Sequence, residues 1–342
     1  MSALAGGAAI GLAAAVALLA VTIVVLRVVS SVRRGRRREL RPRVELALAT
    51  FLVGEGGSAP APATRVEREV LQAVALDALM ELRGAERARV ATLLERLGYV
   101  DAAVSALGAR RRADRRRAAE LLALAGSDAA VPALTAGLAD RDPIVRGTCA
   151  RALAEIGGED VVPAILGVVE RDAVGAPGEV AATVLALGTS RPAAVGGLLG
   201  PEVEPKLRAV AAAVAGELRL AEHAPALRMC LEAREDEVAA RAARGLGLIG
   251  DADAVPRLVR LVAEEHRTPF VRAAAATALG AIGDAAAVPA LERELRADDW
   301  ALRASAAAAL ALLGDSGGAA LRRAAGSAGG DARAQVRAVL ER

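Results

Sequence analysis

The sequence predicts an all-α fold: an α-solenoid of stacked helix pairs preceded by a single transmembrane helix. Three observations predict it. A motif of about 31 residues recurs along most of the chain, clearest in Pro269–Asp299 as PFVRAAAATALGAIGDAAAVPALERELRADD. A unit of that size is one helix pair that cannot bury its apolar face alone and must stack on its neighbours. Helix formers dominate while aromatic residues make up only 1%, so Ala, Leu and Val must fill the core. Finally, the first 26 residues carry no charged side chain.

That first stretch sets the domain plan. Residues 8–29 would span about 33 Å as a helix, against roughly 30 Å of hydrocarbon. A cleaved signal peptide would place positive charge before its apolar run. Here the charge follows, as RVVSSVRRGRRRELRPR. Residues 1–30 therefore read as an uncleaved anchor and residues 31–64 as a basic juxtamembrane segment with a Gly/Ala/Pro linker. Residues 65–342 read as the solenoid. Positive flanks stay inside, which predicts an outer amino terminus and a cytoplasmic solenoid. Arg33, Arg34, Arg36, Arg37 and Arg38 are expected to lie on the anionic inner leaflet. Within this segment Val44–Val53 reads equally as an interfacial helix, a strand, or a helix packed on the first repeat. The Gly54–Thr64 linker should give the solenoid freedom beneath the membrane.

Charge restricts the partners. Arg27–Arg43 holds eight arginines and one acid, leaving 36 of the 44 basic and 40 of the 41 acidic residues for everything else. The body is mildly acidic despite a sequence pI near 9.4, so no nucleic-acid partner is expected.

The helices can be placed in order. Thr64 and Glu67 fit a capping box for a helix running to about Arg83, which Gly84 breaks. Helices over 86–97, 100–107 and 115–125 follow. Beyond these, Pro132, Pro163, Pro225, Pro256 and Pro289 recur in one phase, each in the first turn of a helix, where proline costs no intrahelical bond. Gly157, Gly188, Gly250, Gly283 and Gly314 recur as expected C-terminal caps. The phase degenerates near residues 171–205, where Asp172–Gly178 reads as a long loop and Gly196–Glu204 as loose, a hinge or insertion.

These units resemble HEAT repeats, in particular the short bacterial type seen in phycobilin-lyase-like HEAT proteins. The pattern stands as Val271-Arg272, then Leu279-Gly280-Ala281-Ile282-Gly283-Asp284, then Val288-Pro289. It covers roughly residues 85–325. Ankyrin's Thr-Pro-Leu-His signature is absent, and tetratricopeptide repeats need aromatic positions this chain lacks. The resemblance implies a ladder of turn aspartates and helix arginines between neighbouring units. Arg146, Arg208, Arg272 and Arg303 would be its arginine rungs. Asp140, Asp142, Asp298 and Asp299 would be its acidic ones. It also raises a bilin-lyase-like activity, which the residues disfavour.

Little else carries chemistry. His223 and His266 fall in turns and read as surface residues. Cys149 and Cys230 fall at apolar positions and read as core. No nucleophile–base set, phosphate loop or metal spacing is visible, so no enzyme activity and no cofactor are expected. The strongest local anomaly is Arg110–Arg117, RRRADRRR, a basic helix start set against the helix dipole. Arg110, Arg111, Arg112, Arg115, Arg116 and Arg117 suit phosphate, anionic lipid or an acidic partner. Phe270 and Trp300, two of few aromatics, sit at second-helix starts of adjacent units and suit a partner contact.

The expected function is a membrane-anchored scaffold or accessory subunit in a bacterial inner membrane. Its partner would be a membrane-associated protein, such as part of an enzyme complex; a glycosyltransferase is one instance that no residue singles out. The alternative is a lipid- or phosphate-binding regulator acting through Arg110–Arg117. The oligomeric state is left open.

Overall fold

The computed structural model describes residues 35–53 and 58–327. The apolar segment at residues 8–29, and Arg33 and Arg34, lie outside the described residues. Among the described residues no helix is long and apolar enough to cross a membrane. The described residues are helical with no strand. They divide into two compact units, one of residues 35–53, 58–106 and 124–127 and one of residues 107–123 and 128–327.

The first unit begins with helix α1, residues 35–53. This settles the choice left open for Val44–Val53. The segment is a helix packed on the first repeat, with Leu48 only 3% exposed. α1 lies along α2 (Arg65–Glu81), with Leu48, Ala49 and Leu52 facing Val74 and Ala78 across a shallow groove. Charges tie the two together. Arg37 bonds Glu69, and Arg41 Nη2 donates to Asp77 at 2.7 Å. Arg89, in α3 (Gly84–Arg96), donates to the Leu52 and Phe51 carbonyls and lies 5.5 Å from the Phe51 ring. The sequence suggested freedom for the chain after the linker. These bonds instead hold the helix before it against the helix after it.

α2 starts where the sequence places it. Thr64 Oγ1 accepts from the Glu67 amide, and the Glu67 carboxylate accepts from the Thr64 amide. Those backbone donors hold the Glu67 carboxyl below its usual range. α4 is Tyr99–Ala106, and the Tyr99 hydroxyl donates to the Arg68 carbonyl at 2.8 Å.

From α5 (Arg112–Ala125) onward the chain alternates short and long helices. The short first helices are α6 (Val131–Gly137), α8 (Val162–Asp172), α10 (Pro192–Gly197), α12 (Ala224–Cys230), α14 (Val255–Ala263) and α16 (Val288–Glu294). The longer second helices are α7 (Pro143–Ile156), α9 (Pro177–Ser190), α11 (Pro205–Glu217), α13 (Asp236–Ile249), α15 (Pro269–Ile282) and α17 (Trp300–Leu312). α18 (Gly314–Ser327) closes the described stack against α16 and α17. The second helices stack in series, α11 on α13 on α15 on α17. In α7, α11, α13, α15 and α17 the third residue is core, and in α9 the fourth: Val145, Leu207, Val238, Val271, Leu302 and Val180 are each at most 4% exposed.

Glycine sets the spacing of these layers. A Cβ on Gly247 would lie 2.8 Å from the Ala278 Cα, and one on Gly280 would lie 2.6 Å from the Ala309 Cα. Such distances allow only hydrogen, so α13, α15 and α17 pack backbone to backbone.

The cap glycines divide. Gly250 and Gly283 end α13 and α15 at φ +80° and +84°, the left-handed geometry expected, and Gly314 has φ +60°. Gly157 caps α7 in extended backbone instead. Gly188 is not a cap: it lies inside α9, where a Cβ would strike Leu218 and Val214. Within 171–205 the stretch after α10 is non-helical over residues 198–204, as its sequence suggests, but the loop expected over Asp172–Gly178 shrinks to residues 173–176. α8 runs through Asp172, α9 packs on α7, and α10 supplies a short first helix. The irregularity is the α9–α11 contact, which is less extensive than α11–α13.

Candidate partner-binding surface

Two surfaces of the second unit present functional side chains. One is the edge formed by the turns between paired helices. The other is the outer face of the second helices.

The edge is built from one recurring position. The fourth residue of α5, α7, α11, α15 and α17 is Arg115, Arg146, Arg208, Arg272 and Arg303. A helical side chain leans toward its own amino terminus, so each arginine folds back over the preceding turn. Arg115 donates to the Ala109 and Arg110 carbonyls, Arg146 to Asp140, Arg272 to Val262, and Arg303 to Ala297 and Asp298. The same guanidinium reaches forward to an acid of the next unit. Arg115 pairs with Asp140 at 2.6 and 2.9 Å, and Arg146 with Asp172 at 2.8 and 2.5 Å. Arg208 pairs with Glu235 at 3.0 Å and Arg272 with Glu294 at 2.6 Å. A second set of arginines stitches backward. Arg141 donates to the Arg110 carbonyl, Arg171 to Leu138 and Arg267 to Arg234.

This geometry corrects several assignments. Arg115 belongs to the ladder and not to the accessible basic cluster, because its side chain is only 6% exposed. Asp142 and Asp299 are N-caps of α7 and α17, accepting from the Ile144 and Leu302 amides at 2.9 and 2.8 Å. Asp298 contributes its carbonyl and not its carboxylate to Arg303. The acids that serve as rungs beside Asp140 are Asp172, Glu235 and Glu294. They lie 22 to 27 residues ahead of their arginines and not one repeat away. They were missed because each sits at the end of a first helix or the start of a second, where no fixed motif marks it.

The rungs differ electrically. Burial raises Asp140, but hydrogen bonds from Arg115 and the Asp142 amide, with the Arg115 and Arg141 charges, outweigh it and hold the carboxyl below its usual value. At Glu294 burial wins over the Arg272 and Arg293 charges, and the carboxyl is pushed up. Glu69 in the first unit is held low, chiefly by the Arg37 hydrogen bond. All three of Arg36, Arg37 and Arg38 are exposed, and Arg37 is engaged with Glu69.

The histidines and cysteines take structural places. His223 is buried and not a surface turn residue: its Nε2–H donates to the Pro192 carbonyl at 2.7 Å, and its ring covers Gly196, where a Cβ would collide. His266 is exposed near Glu264. Cys149 and Cys230 are both buried, and burial drives the Cys149 thiol up to about 12. Among the described residues no group of His, Cys, Asp and Glu side chains is placed to hold a metal.

The outer face of the second helices forms a grid. Equivalent positions run Lys206, Glu237, Phe270, Ala301; then Ala213, Arg244, Thr277, Ala308; then Glu217, Leu248, Ala281, Leu312. The α11 and α13 columns are charged. The α15 and α17 columns carry no charge on this face, because Arg272 and Arg303 fold back onto the turns. A cleft of about 330 Å³ lies across α11, α13 and α15 between Glu217, Arg241, Arg244, Leu248 and Thr277. Phe270 is 44% exposed, with the Arg244 guanidinium 5.7 Å above its ring. Trp300 is 66% exposed at the start of α17, and Leu312 is 67% exposed at its end.

Stacked helix pairs, an arginine–acid ladder along the turns and an open second-helix face define an α-solenoid repeat protein built to present surface. A sequence profile of HEAT repeats matches residues 100–187, 224–311 and 262–341, more than half of the chain. The chain belongs to the HEAT-repeat family. No curated protein sequence matches it. Among solved structures it is similar to Kap121p, with TM-score 0.51 and 13% identity over 88% of this chain and 42% of that one. It is also similar to importin beta, with TM-score 0.50 and 13% identity over 88% of this chain and 51% of that one. The chain thus spans about half or less of either protein, and the likeness is one of fold. None of these matches carries the phycobilin-lyase subtype.

Proposed function

We propose that this chain is a membrane-anchored HEAT-repeat scaffold or accessory subunit, without chemistry of its own, that holds a protein partner at the cytoplasmic face of a bacterial membrane. The observation that carries the partner-binding part is the uncharged face of α15 and α17, rimmed by exposed Phe270 and Trp300 and bordered by charged α11 and α13. Aromatic anchors beside a polar rim are the usual composition of a protein interface. The fold supports the same reading: the karyopherin Kap121p has been solved bound to the extreme C-terminus of the protein phosphatase Cdc14p. The membrane part rests on the uncharged, apolar residues 8–29 followed by the arginine-rich segment. Anchoring raises the local concentration of whatever the solenoid binds, so modest affinity suffices. A membrane enzyme complex, a glycosyltransferase among them, is the partner class this arrangement suits.

Two measurements test the parts separately. Alkaline carbonate extraction of expressing cells should leave the chain in the membrane pellet; full release overturns the anchor. Affinity purification from solubilised membranes should recover a stoichiometric partner with the wild-type chain and lose it with Phe270→Ala/Trp300→Ala. Equal recovery from both would overturn the role of this face.

A further inference from the structure

The ladder removes Arg115 from the arginine-rich run at 110–117 and leaves the others facing water. Arg110, Arg111, Arg112, Arg116 and Arg117 are all exposed. Arg141 joins them from the next turn, its guanidinium donating to the Arg110 carbonyl at 2.9 Å. Few acids offset this group. Arg116 is held by Glu120 at 2.9 Å, Arg112 lies 3.9 Å from Asp142, and Asp114 is the one acid inside the run. Asp140 is consumed by Arg115. Five of these side chains crowd the start of α5, where positive charge opposes the helix dipole. The fold therefore keeps a locally destabilising charge cluster that its ladder does not use.

We propose that Arg110, Arg111, Arg112, Arg117 and Arg141 form a second membrane-contact patch that lays this end of the solenoid on an anionic bilayer. The inference rests on the membrane placement proposed above and adds an orientation to it. Residues beyond Arg43 carry more acid than base, so an anionic surface repels most of the body and attracts this turn edge. An extended row of arginines from two consecutive turns matches a sheet of phosphate groups better than one small anion. No aromatic residue lies within the 110–117 run to stack a base, which disfavours single-stranded nucleic acid. Each arginine near an anionic surface should multiply partitioning by about five. Loss of three should then lower it by at least about tenfold, after allowance for salt screening.

The test uses the full chain carrying Ala113→Cys, an exposed position within the run. It is labelled with an environment-sensitive fluorophore; the native cysteines are buried. The protein is added to phosphatidylcholine vesicles, and to vesicles with 30% phosphatidylglycerol, each containing a headgroup quencher. Quenching is expected only with phosphatidylglycerol, lost in 0.5 M salt and lost in the R110Q/R111Q/R117Q background. Equal quenching in both vesicle types, or in wild type and triple variant, overturns the patch. So does a response to inorganic phosphate alone, which would mark a small-anion site, or a response only to an acidic peptide, which would mark a protein partner. The anchor is read separately. If phosphatidylcholine vesicles do not retain the chain, the anchor fails. Flotation on phosphatidylglycerol vesicles then decides the patch: a tenfold loss in the triple variant supports it, and equal flotation overturns it.

Discussion

Arg146 grips Asp172 with two nitrogens across the boundary between consecutive repeats, Nε to Oδ2 at 2.8 Å and Nη2 to Oδ1 at 2.5 Å. Asp172 is the last residue of α8 and only 6% exposed, and the third arm of Arg146 takes the Asp140 carbonyl at 2.7 Å. Removing one partner of such a pair strands a charge away from water. Asp172→Ala should cost about 3 to 5 kcal/mol of unfolding free energy. Arg146→Met/Asp172→Leu should recover much of that, since replacing both charges removes the stranded group. Urea unfolding of Arg146→Met, Asp172→Leu and the double variant gives the coupling directly. A coupling below about 0.5 kcal/mol would mean the ladder is ornamental.

The rungs should respond to acid with opposite sign. Glu294 has a raised folded-state value, so its contribution is fully present below the unfolded carboxyl pKa and is lost as pH rises through the folded one. Asp140 has a lowered value, so its contribution is present above the unfolded pKa and is lost as pH falls through the folded one. Glu294→Gln should flatten the decline of thermal midpoint with rising pH just above the ordinary carboxyl range. Asp140→Asn should flatten the decline on the acid side. Midpoints measured from pH 3 to 8 for the three proteins check both slopes.

Glycine substitutions should separate spacing from propensity. A Cβ on Gly247 meets the Ala278 backbone at 2.8 Å, and backbone yields little, so Gly247→Ala should destabilise by about 1 to 3 kcal/mol. Gly167, inside α8, has nothing within 4 Å of the built Cβ. There the substitution only removes backbone freedom from the unfolded chain, and Gly167→Ala should stabilise by about 0.5 to 1 kcal/mol. Chemical denaturation of the pair is the measurement, and equal signs would show that the α13–α15 contact is softer than the geometry implies.

The repeat, its helix order and the Thr64–Glu67 capping box were legible because each rests on a local signal: a period, a proline phase, a four-residue motif. Apart from Arg115, the arginine side of the ladder was legible for the same reason, since Arg146, Arg208, Arg272 and Arg303 each follow an apolar residue at the third helical position. Its acids were not. Asp172 lies in a stretch whose helix pattern had lapsed, and Glu294 stands among other charged residues in the sequence of its helix. Only the stacking of neighbouring units brings either to its arginine. Arg115 was misjudged through its company, because a run of arginines reads as one patch until the fold buries one of them. His223 was misjudged because its burial depends on Gly196 in the unit before it, a dependence no single-repeat alignment carries.

The last prediction concerns what Phe270 is for. A residue needed for packing and a residue needed for a partner respond differently to truncation. Phe270 is 44% exposed and shares its ring with the Arg244 guanidinium. A half-exposed cation–π contact contributes about 0.5 to 1 kcal/mol, so Phe270→Ala should lower the thermal midpoint by only a few degrees. If the ring anchors a partner, the same change should reduce partner recovery by tenfold or more, the size expected for an interface hot spot. Met229→Ala is the matched control, since Met229 is 60% exposed but lies on α12, a first helix. Recovery should be unchanged by it. The reverse pattern, with Met229 sensitive and Phe270 silent, would move the binding face from the second helices to the first.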